Sequence, residues 1–380
     1  MADALMVSSS FLPGTGGIES YLAELCDELA PRLAVLAAAE RDGRPIPSDL
    51  PYPTTGYPRP MLWPGRSVAQ AIAAAAAAAG TDRVLFGTPW PLVLAGPALA
   101  RRGLRYAAIV HGAEFVLPAA LPVVGDRLAR AMGGADLLLP VSDYTARRVQ
   151  RKLDAAGVSC PPMALLRARV DVDRFHPDVD TAAVRGRLGL EERRTILCFG
   201  RLVKRKGVDL LLEALPEIAR RVPDVIVVIG GTGPQEGALR RRAEGIEPGR
   251  VVFAGRVPED AAPALFAAAD LFCLPVFDRW GGLEIEGLGV VLLEASAAGS
   301  PCVTGRSGGT PEAVVDGETG FVVDARDRSE LVERICELLT DPARAERMGQ
   351  AARGHVTRSF ARRPLPSELL QWMAPTSPTG

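Results

Sequence analysis

Short apolar runs and amphipathic segments take turns along this chain of 380 residues. Residues 4–9, 84–86, 105–110 and 136–140 are apolar runs of strand length in the first half. Residues 195–199, 225–229, 251–254, 271–275 and 321–323 repeat the pattern in the second. Between them lie stretches with helical spacing, among them 19–30, 208–215, 290–298, 329–340 and 343–359. Nearly unbroken apolar strands alternating with helices predict an α/β fold whose parallel sheets are covered on both faces. The length favours two domains, each with its own core. Residues 41–67, rich in proline and polar groups, read as a long surface connection, with an acceptor-side loop as the functional alternative.

Composition narrows the class. With 48% hydrophobic and 23% charged residues the chain is an ordinary globular protein. A formal net charge of −1 gives no global attraction to nucleic acid or to an anionic membrane. The six cysteines lack metal-ligand spacing, and Cys198, Cys273 and Cys302 fall inside apolar strand runs as small buried hydrophobes. That suits a reducing cytosol. The start, Met1-Ala2-Asp3-Ala4, lacks the basic residues of a signal peptide. The alanine run at 71–79 falls short of the roughly 20 apolar residues that span a bilayer, so it predicts a buried helix. The expectation is a cytoplasmic protein that can touch the inner face of a membrane without crossing it.

Chemistry concentrates between Arg279 and Val314. Glu286 and Glu294 stand eight residues apart, with Gly287, Leu288 and Gly289 leading into a helix that starts at Val290 and Val291. A Gly-rich turn opening a helix points free N–H groups at an anion. Carboxylates on either side suit a ligand carrying phosphates and hydroxyls, such as a nucleotide sugar. Ser307-Gly308-Gly309 repeats the device, with Thr310 as expected N-cap, Pro311 at the first helical position and Gly317 as the stop. Arg201 and Lys206, in GRLVKRKG after the strand 195–199, offer a guanidinium fork and an ammonium for a diphosphate. Lys204 and Arg205 between them read as solvated charges. His111 follows a strand, at the sheet edge where such folds bind ligands. Gly16 and Gly17 lie in a Gly-rich loop after the first strand, without the G-x-G-x-x-G spacing of a simple dinucleotide fold. Ser142 reads as a helix cap.

The spacing of Glu286 and Glu294 resembles the E-x7-E signature of retaining glycosyltransferases of family 4. The surrounding GGLEIEGLGVVLLEASAAG and SGGTPEAV look more narrowly like the PimB-type GDP-mannose-dependent phosphatidylinositol mannosyltransferases. The resemblance implies the GT-B fold, two Rossmann-like domains facing across a cleft. It divides the chain into an acceptor-side domain (1–170), a donor domain (171–360) and a C-terminal segment (361–380) crossing back. It implies a nucleotide-sugar donor, a hydroxyl acceptor (glycolipid or small molecule), peripheral membrane contact, no nucleic acid, and no cofactor or obligatory metal. Arg201, Lys206, Glu286 and His111 would be catalytic, with His111 beside the reacting carbon. Gly16, Gly17, Gly200, Gly231, Gly233, Arg256, Val257, residues 287–291 and Glu294 would hold the donor. Glu114, Tyr57 and Arg169 are acceptor candidates. Asp171 and Asp173 spell D-x-D, but they fall in what resembles the family's interdomain linker, so they are not expected to bind metal. The chain departs from the PimB pattern at Ala113, where HGHE is usual, at Arg167-Ala168-Arg169, and in a first loop without Lys or Arg. Those departures leave open a UDP-hexose or UDP-N-acetylhexosamine donor with a soluble acceptor. A sugar-nucleotide epimerase or a non-catalytic nucleotide-sugar binder is the reading from another class.

Overall fold

The structure, a computed structural model, describes residues 2–14, 16–41, 43–361 and 364–374. The side chains of Ala113 and Glu114 also lie outside it, so the expectation for Glu114 falls outside the described residues. The chain forms two compact units, Met1–Arg167 with Pro364–Gly380, and Ala168–Arg363.

The first unit is built on β1 (Ala4–Ser8), β2 (Leu33–Ala38), β5 (Thr54–Tyr57), β6 (Arg83–Phe86), β7 (Arg105–Val110) and β8 (Leu137–Pro140). A two-residue-per-strand hairpin, β3 (Glu40–Arg41) and β4 (Arg44–Pro45), stands apart from the sheet. The sheet order is β5-β2-β1-β6-β7-β8, all parallel. Every residue of β1 and β2 is buried, as strands covered by helices on both faces must be. The segment 41–67 is therefore not one surface connection. Its residues 54–57 form the edge strand, and Tyr57 is buried at that strand's end.

The second unit repeats the plan with β9 (Arg194–Phe199), β10 (Val225–Gly230), β11 (Val251–Gly255), β12 (Leu271–Leu274), β13 (Cys302–Gly305) and β14 (Gly320–Val323), in the parallel order β11-β10-β9-β12-β13-β14. Both sheets thus have the 3-2-1-4-5-6 order of a doubly wound nucleotide-binding fold. In each, the winding reverses between the first and fourth strands, the place at the carboxyl edge where doubly wound sheets bind ligands.

The helix Ser367–Met373 completes the first unit. Leu369, Trp372 and Met373 are buried in a cluster with Phe11, Leu25 and Leu139, and Trp372 Nε1 donates to Asp136 Oδ2 at 3.1 Å. Among the described residues no helix is long and apolar enough to cross a membrane.

Candidate functional site

In the second unit, reversal between β9 and β12 sets the loop after β9 beside the loop after β12. Lys204–Lys206 wind into a single 3-10 turn, and the Phe277 N–H from the neighbouring loop donates to the Arg205 carbonyl at 3.0 Å. From these two loops come the site's central charges. Lys206 Nζ lies 2.9 Å and Arg205 Nη1 2.8 Å from one oxygen, Glu286 Oε2. Lys206 and Glu286 are each only 8% exposed, a burial that charged side chains tolerate when paired. Burial alone would push the Glu286 carboxyl up. The ammonium of Lys206 and the guanidinium of Arg205 outweigh it and hold the group below its ordinary range. Arg205 is thus no solvated charge: its Nε also lies 3.9 Å from Glu284 Oε1, and Glu284 Oε2 meets Arg279 Nη1 at 2.7 Å. Lys204 does behave as expected, half-exposed and paired with Asp209.

The Glu286 backbone is clamped as firmly as its side chain. Its N–H donates to Ser307 Oγ at 3.0 Å, that hydroxyl donates to Asp278 Oδ1 at 2.6 Å, and the Glu286 carbonyl accepts the Gly309 N–H at 3.1 Å. Gly308 sits at φ +54°, and a Cβ there would lie 1.7 Å from the Glu286 carbonyl oxygen. Only glycine allows this approach. The second Gly-rich turn is therefore a brace for the first and not another anion site. Its helix, Thr310–Ala313, has four residues, its N-cap is Gly309, and it ends before Gly317. Thr310 lies inside the helix, with Oγ1 donating to the Gly305 carbonyl at 2.8 Å.

Gly289, at φ +84°, turns the chain into the helix Val290–Ala297. Among the described residues the N–H groups of Val290 and Val291 meet no acceptor, so a positive helix end stands open in sequence just beyond Glu286. Leu288 is buried, which leaves its backbone as its only contribution to a ligand. Glu294, half-buried, is the fifth residue of this helix.

The carboxyl ends of β9, β10 and β11 are laced by backbone bonds. Gly200 N–H donates to the Gly230 carbonyl, Leu202 N–H to Thr232, and Gly231 N–H to Gly255. Gly200, Gly231 and Gly233 line this ledge, and Arg256 and Val257 follow it, the first exposed and the second half-buried. Arg201 is exposed and has no ion-pair partner among the described residues. A guanidinium held at the rim with no counter-charge is available to an incoming anion.

In the first unit, His111 follows β7 and is 9% exposed. Its Nε2 is 2.9 Å from the Gly87 carbonyl, and Tyr21 packs edge-to-face on its ring at 5.2 Å. At the first loop, Glu19 lies against Gly16 and takes Arg41 Nη1 at 3.2 Å. The helix start at Gly16 and Gly17 thus carries a carboxylate of its own, which disfavours a phosphate there and suits hydroxyl groups. It also brings an arginine to a loop that has none in its sequence. Tyr57 is a strand-end core residue, and Arg169 is half-buried in the second unit next to Val170, whose N–H donates to the Phe360 carbonyl. Arg167 pairs with Asp143. Asp171 Oδ1 accepts the N–H groups of Asp173 and Arg174, both at 3.1 Å, which gives the D-x-D spelling a turn-forming role. Ser142 caps its helix by accepting the Thr145 N–H.

Residues 180–355 match the family described as "Glycosyl transferases group 1", and residues 15–159 match "Glycosyltransferase Family 4". The GDP-mannose-dependent alpha-(1-6)-phosphatidylinositol monomannoside mannosyltransferase of Mycolicibacterium smegmatis is 41% identical over 361 residues, 92% of each chain. The enzyme of the same description from Mycobacterium tuberculosis is 38% identical over 98% of each. Among solved structures, a sucrose-phosphate synthase from Thermosynechococcus elongatus superposes with a TM-score of 0.78 at 21% identity, covering 94% of this chain and 95% of that one. Anabaena HepE, in complex with UDP and glucose, gives 0.77 at 21% identity, covering 95% and 96%.

Proposed function

The chain belongs to the family 4 glycosyltransferases, and on that premise we propose that it transfers mannose from GDP-mannose to a hydroxyl of a phosphatidylinositol mannoside, with retention of configuration. The observation that carries the reading is the buried Lys206–Glu286–Arg205 cluster, followed by the open helix start at Val290 and Val291. The 41% identity over 92% of each chain supports mannose and GDP as the donor's parts, because the relative so described uses them.

Breaking the sugar–phosphate bond leaves negative charge on the diphosphate and positive charge on the ring. Arg201, Lys206 and the N–H groups of Val290 and Val291 take the first, as donors set before the charge develops. Lys206 then divides itself between the diphosphate and Glu286. Arg205 keeps Glu286 ionised while that happens, so the carboxylate goes on accepting from sugar hydroxyls. Glu294 is assigned the ribose and His111 the donor sugar. In this reading the acceptor oxygen bonds to the anomeric carbon on the face the diphosphate leaves, and the acceptor's proton passes to the departing phosphate oxygen. No protein nucleophile and no metal is assigned a step.

The 8–18 loop has no Lys or Arg of its own, and the arginine brought to it, Arg41, is paired with Glu19, which favours the second reading, a UDP-sugar donor with a soluble acceptor. A thermal-shift panel with GDP, GDP-mannose, UDP, UDP-glucose and UDP-N-acetylglucosamine separates the two. A ligand at about 100 times its Kd adds roughly 2.7 kcal/mol of stability. Stabilisation by the guanosine compounds alone supports the proposal, and stabilisation by the uridine compounds alone overturns it.

A further inference from the structure

The loop that leads into Glu286 carries two costs that its own packing does not repay. Among the described residues other than glycine, only Glu192 and Trp280 have φ in the left-handed region, Trp280 at +50°. A bulky side chain there is a strained outlier, and such strain gathers where ligands are clamped. The same residue is 61% exposed, the one large hydrophobic side chain of the second unit left so open among the described residues. Folding thus leaves an indole in water on a backbone that resists it.

The indole is nevertheless held. Trp280, Gly281 and Gly282 are successive left-handed residues, at φ +50°, +64° and +85°, so the chain coils into a tight turn. Arg279 closes that turn. Its carbonyl accepts the N–H groups of Gly282, Leu283 and Glu284, and its own N–H donates to the Glu284 carbonyl at 3.0 Å. The Arg279 guanidinium lies 4.5 Å from the centre of the Trp280 ring and is itself fixed by Glu284 Oε2 at 2.7 Å. One face of the ring is therefore backed by a cation, and the exposure belongs to the other. Both ends of the turn are tied to the Glu286 cluster. Asp278 holds the Ser307 hydroxyl that accepts the Glu286 N–H, and Glu284 Oε1 reaches Arg205 Nε at 3.9 Å.

We propose that Trp280 is a specificity-determining residue whose open face stacks on a pyranose ring of the acceptor. A rigid apolar face standing among charged groups suits a ring that has an apolar face of C–H bonds and a polar rim, and a pyranose is such a ring. The donor's own sugar is assigned to Glu286, which is buried, whereas Trp280 faces water. A nucleobase would also stack on an indole. The ledge of Gly231, Gly233, Arg256 and Val257, however, follows β10 and β11, across β9 from the β12 loop that carries Trp280. The proposal rests on the mannosyltransferase reading above and deepens it on the acceptor side.

The test uses the full chain with GDP bound and, as probe, deacylated phosphatidylinositol monomannoside, which is water-soluble. Tryptophan fluorescence of the wild type should change as the probe is added. The change should be absent in Trp280→Phe, which leaves Trp63, Trp90 and Trp372 in place. In transfer assays Trp280→Ala should raise the acceptor KM about tenfold, the worth of one aromatic stacking contact, with the donor KM and the GDP-induced thermal shift unchanged. Trp280→Phe should recover most of that loss. Trp280→Gly separates a ligand platform from a structural residue. Glycine relaxes the left-handed backbone, so Tm should hold or rise while the acceptor KM rises as in Trp280→Ala. No fluorescence change in the wild type, an equal change in Trp280→Phe, or an unaltered acceptor KM in Trp280→Ala overturns the platform. A change produced by GDP alone and lost in Trp280→Phe would put the donor's base on the ring and overturn it too. Entry of label from GDP-mannose into the same soluble acceptor judges the mannosyltransferase reading by itself.

Discussion

Lys206 and Glu286 meet at 2.9 Å where each is only 8% exposed, with Arg205 Nη1 2.8 Å from the same carboxylate oxygen. The pair is held from two loops that the sheet order sets side by side. Replacing Lys206 by Met leaves Glu286 with Arg205 alone and, under the proposed function, removes one ligand of the incoming diphosphate. The variant should lose about 1–3 kcal/mol of stability, the usual cost of stripping a partner from a buried group. Its affinity for GDP should fall as well. Calorimetric unfolding with and without GDP measures both.

Arg205 gives a prediction in pH. Glu286 is held low by Lys206 and Arg205 against the opposing effect of burial. Taking Arg205 away in Arg205→Gln removes one lowering influence, so the carboxyl's pKa rises and the acid limb of kcat/KM moves to higher pH. Arg205→Lys should return most of the shift. An acid limb at the same pH in Arg205→Gln and wild type would show that Arg205 does not govern Glu286.

The same carboxylate affects stability. Its folded-state pKa lies below its unfolded value near 4.3. It therefore adds stability that is fully present above that value and is lost as pH falls through the folded pKa. Glu286→Gln should lose stability less steeply below about pH 4.3, as read from midpoints of urea unfolding across an acid series.

Arg201 separates function from stability. It is exposed and has no ion-pair partner among the described residues. Arg201→Ala should leave the melting temperature nearly unchanged and lower kcat by about 10²–10³, the typical effect of losing one preorganised donor. A rise in KM with kcat intact would remove Arg201 from the transition state.

Gly308→Ala reverses that pattern. A methyl group there would lie 1.7 Å from the Glu286 carbonyl in a residue at φ +54°. The strain and the clash should cost about 2 kcal/mol or more, and the Glu286 backbone must shift to relieve them. Both Tm and kcat should fall.

Apolar strands followed by helices made the two sheets readable from sequence, and the E-x7-E spacing marked the segment that carries the buried Glu286. What stayed hidden has physical causes. The strand Leu33–Ala38 is half alanine, so it carries a weak strand signal. The strand Thr54–Tyr57 is short, polar and set among prolines, and reads as loop until its neighbour Leu33–Ala38 is in place. Arg205 looked like part of a solvated K-R-K run, because its partner Glu286 is 81 residues away. Thr310 looked like a cap because cap and first-turn positions differ by one residue.

The account rests on mannosyl transfer from a guanosine donor, and one assay tests that most directly. Purified enzyme is incubated with phosphatidylinositol monomannoside and, in parallel, radiolabelled GDP-mannose, UDP-glucose or UDP-N-acetylglucosamine, and lipid-soluble label is counted. Label entering the lipid from GDP-mannose alone, and abolished by Arg201→Ala, is the predicted result. Label from a UDP-sugar alone, or release of free sugar nucleotide isomers without transfer, would contradict it.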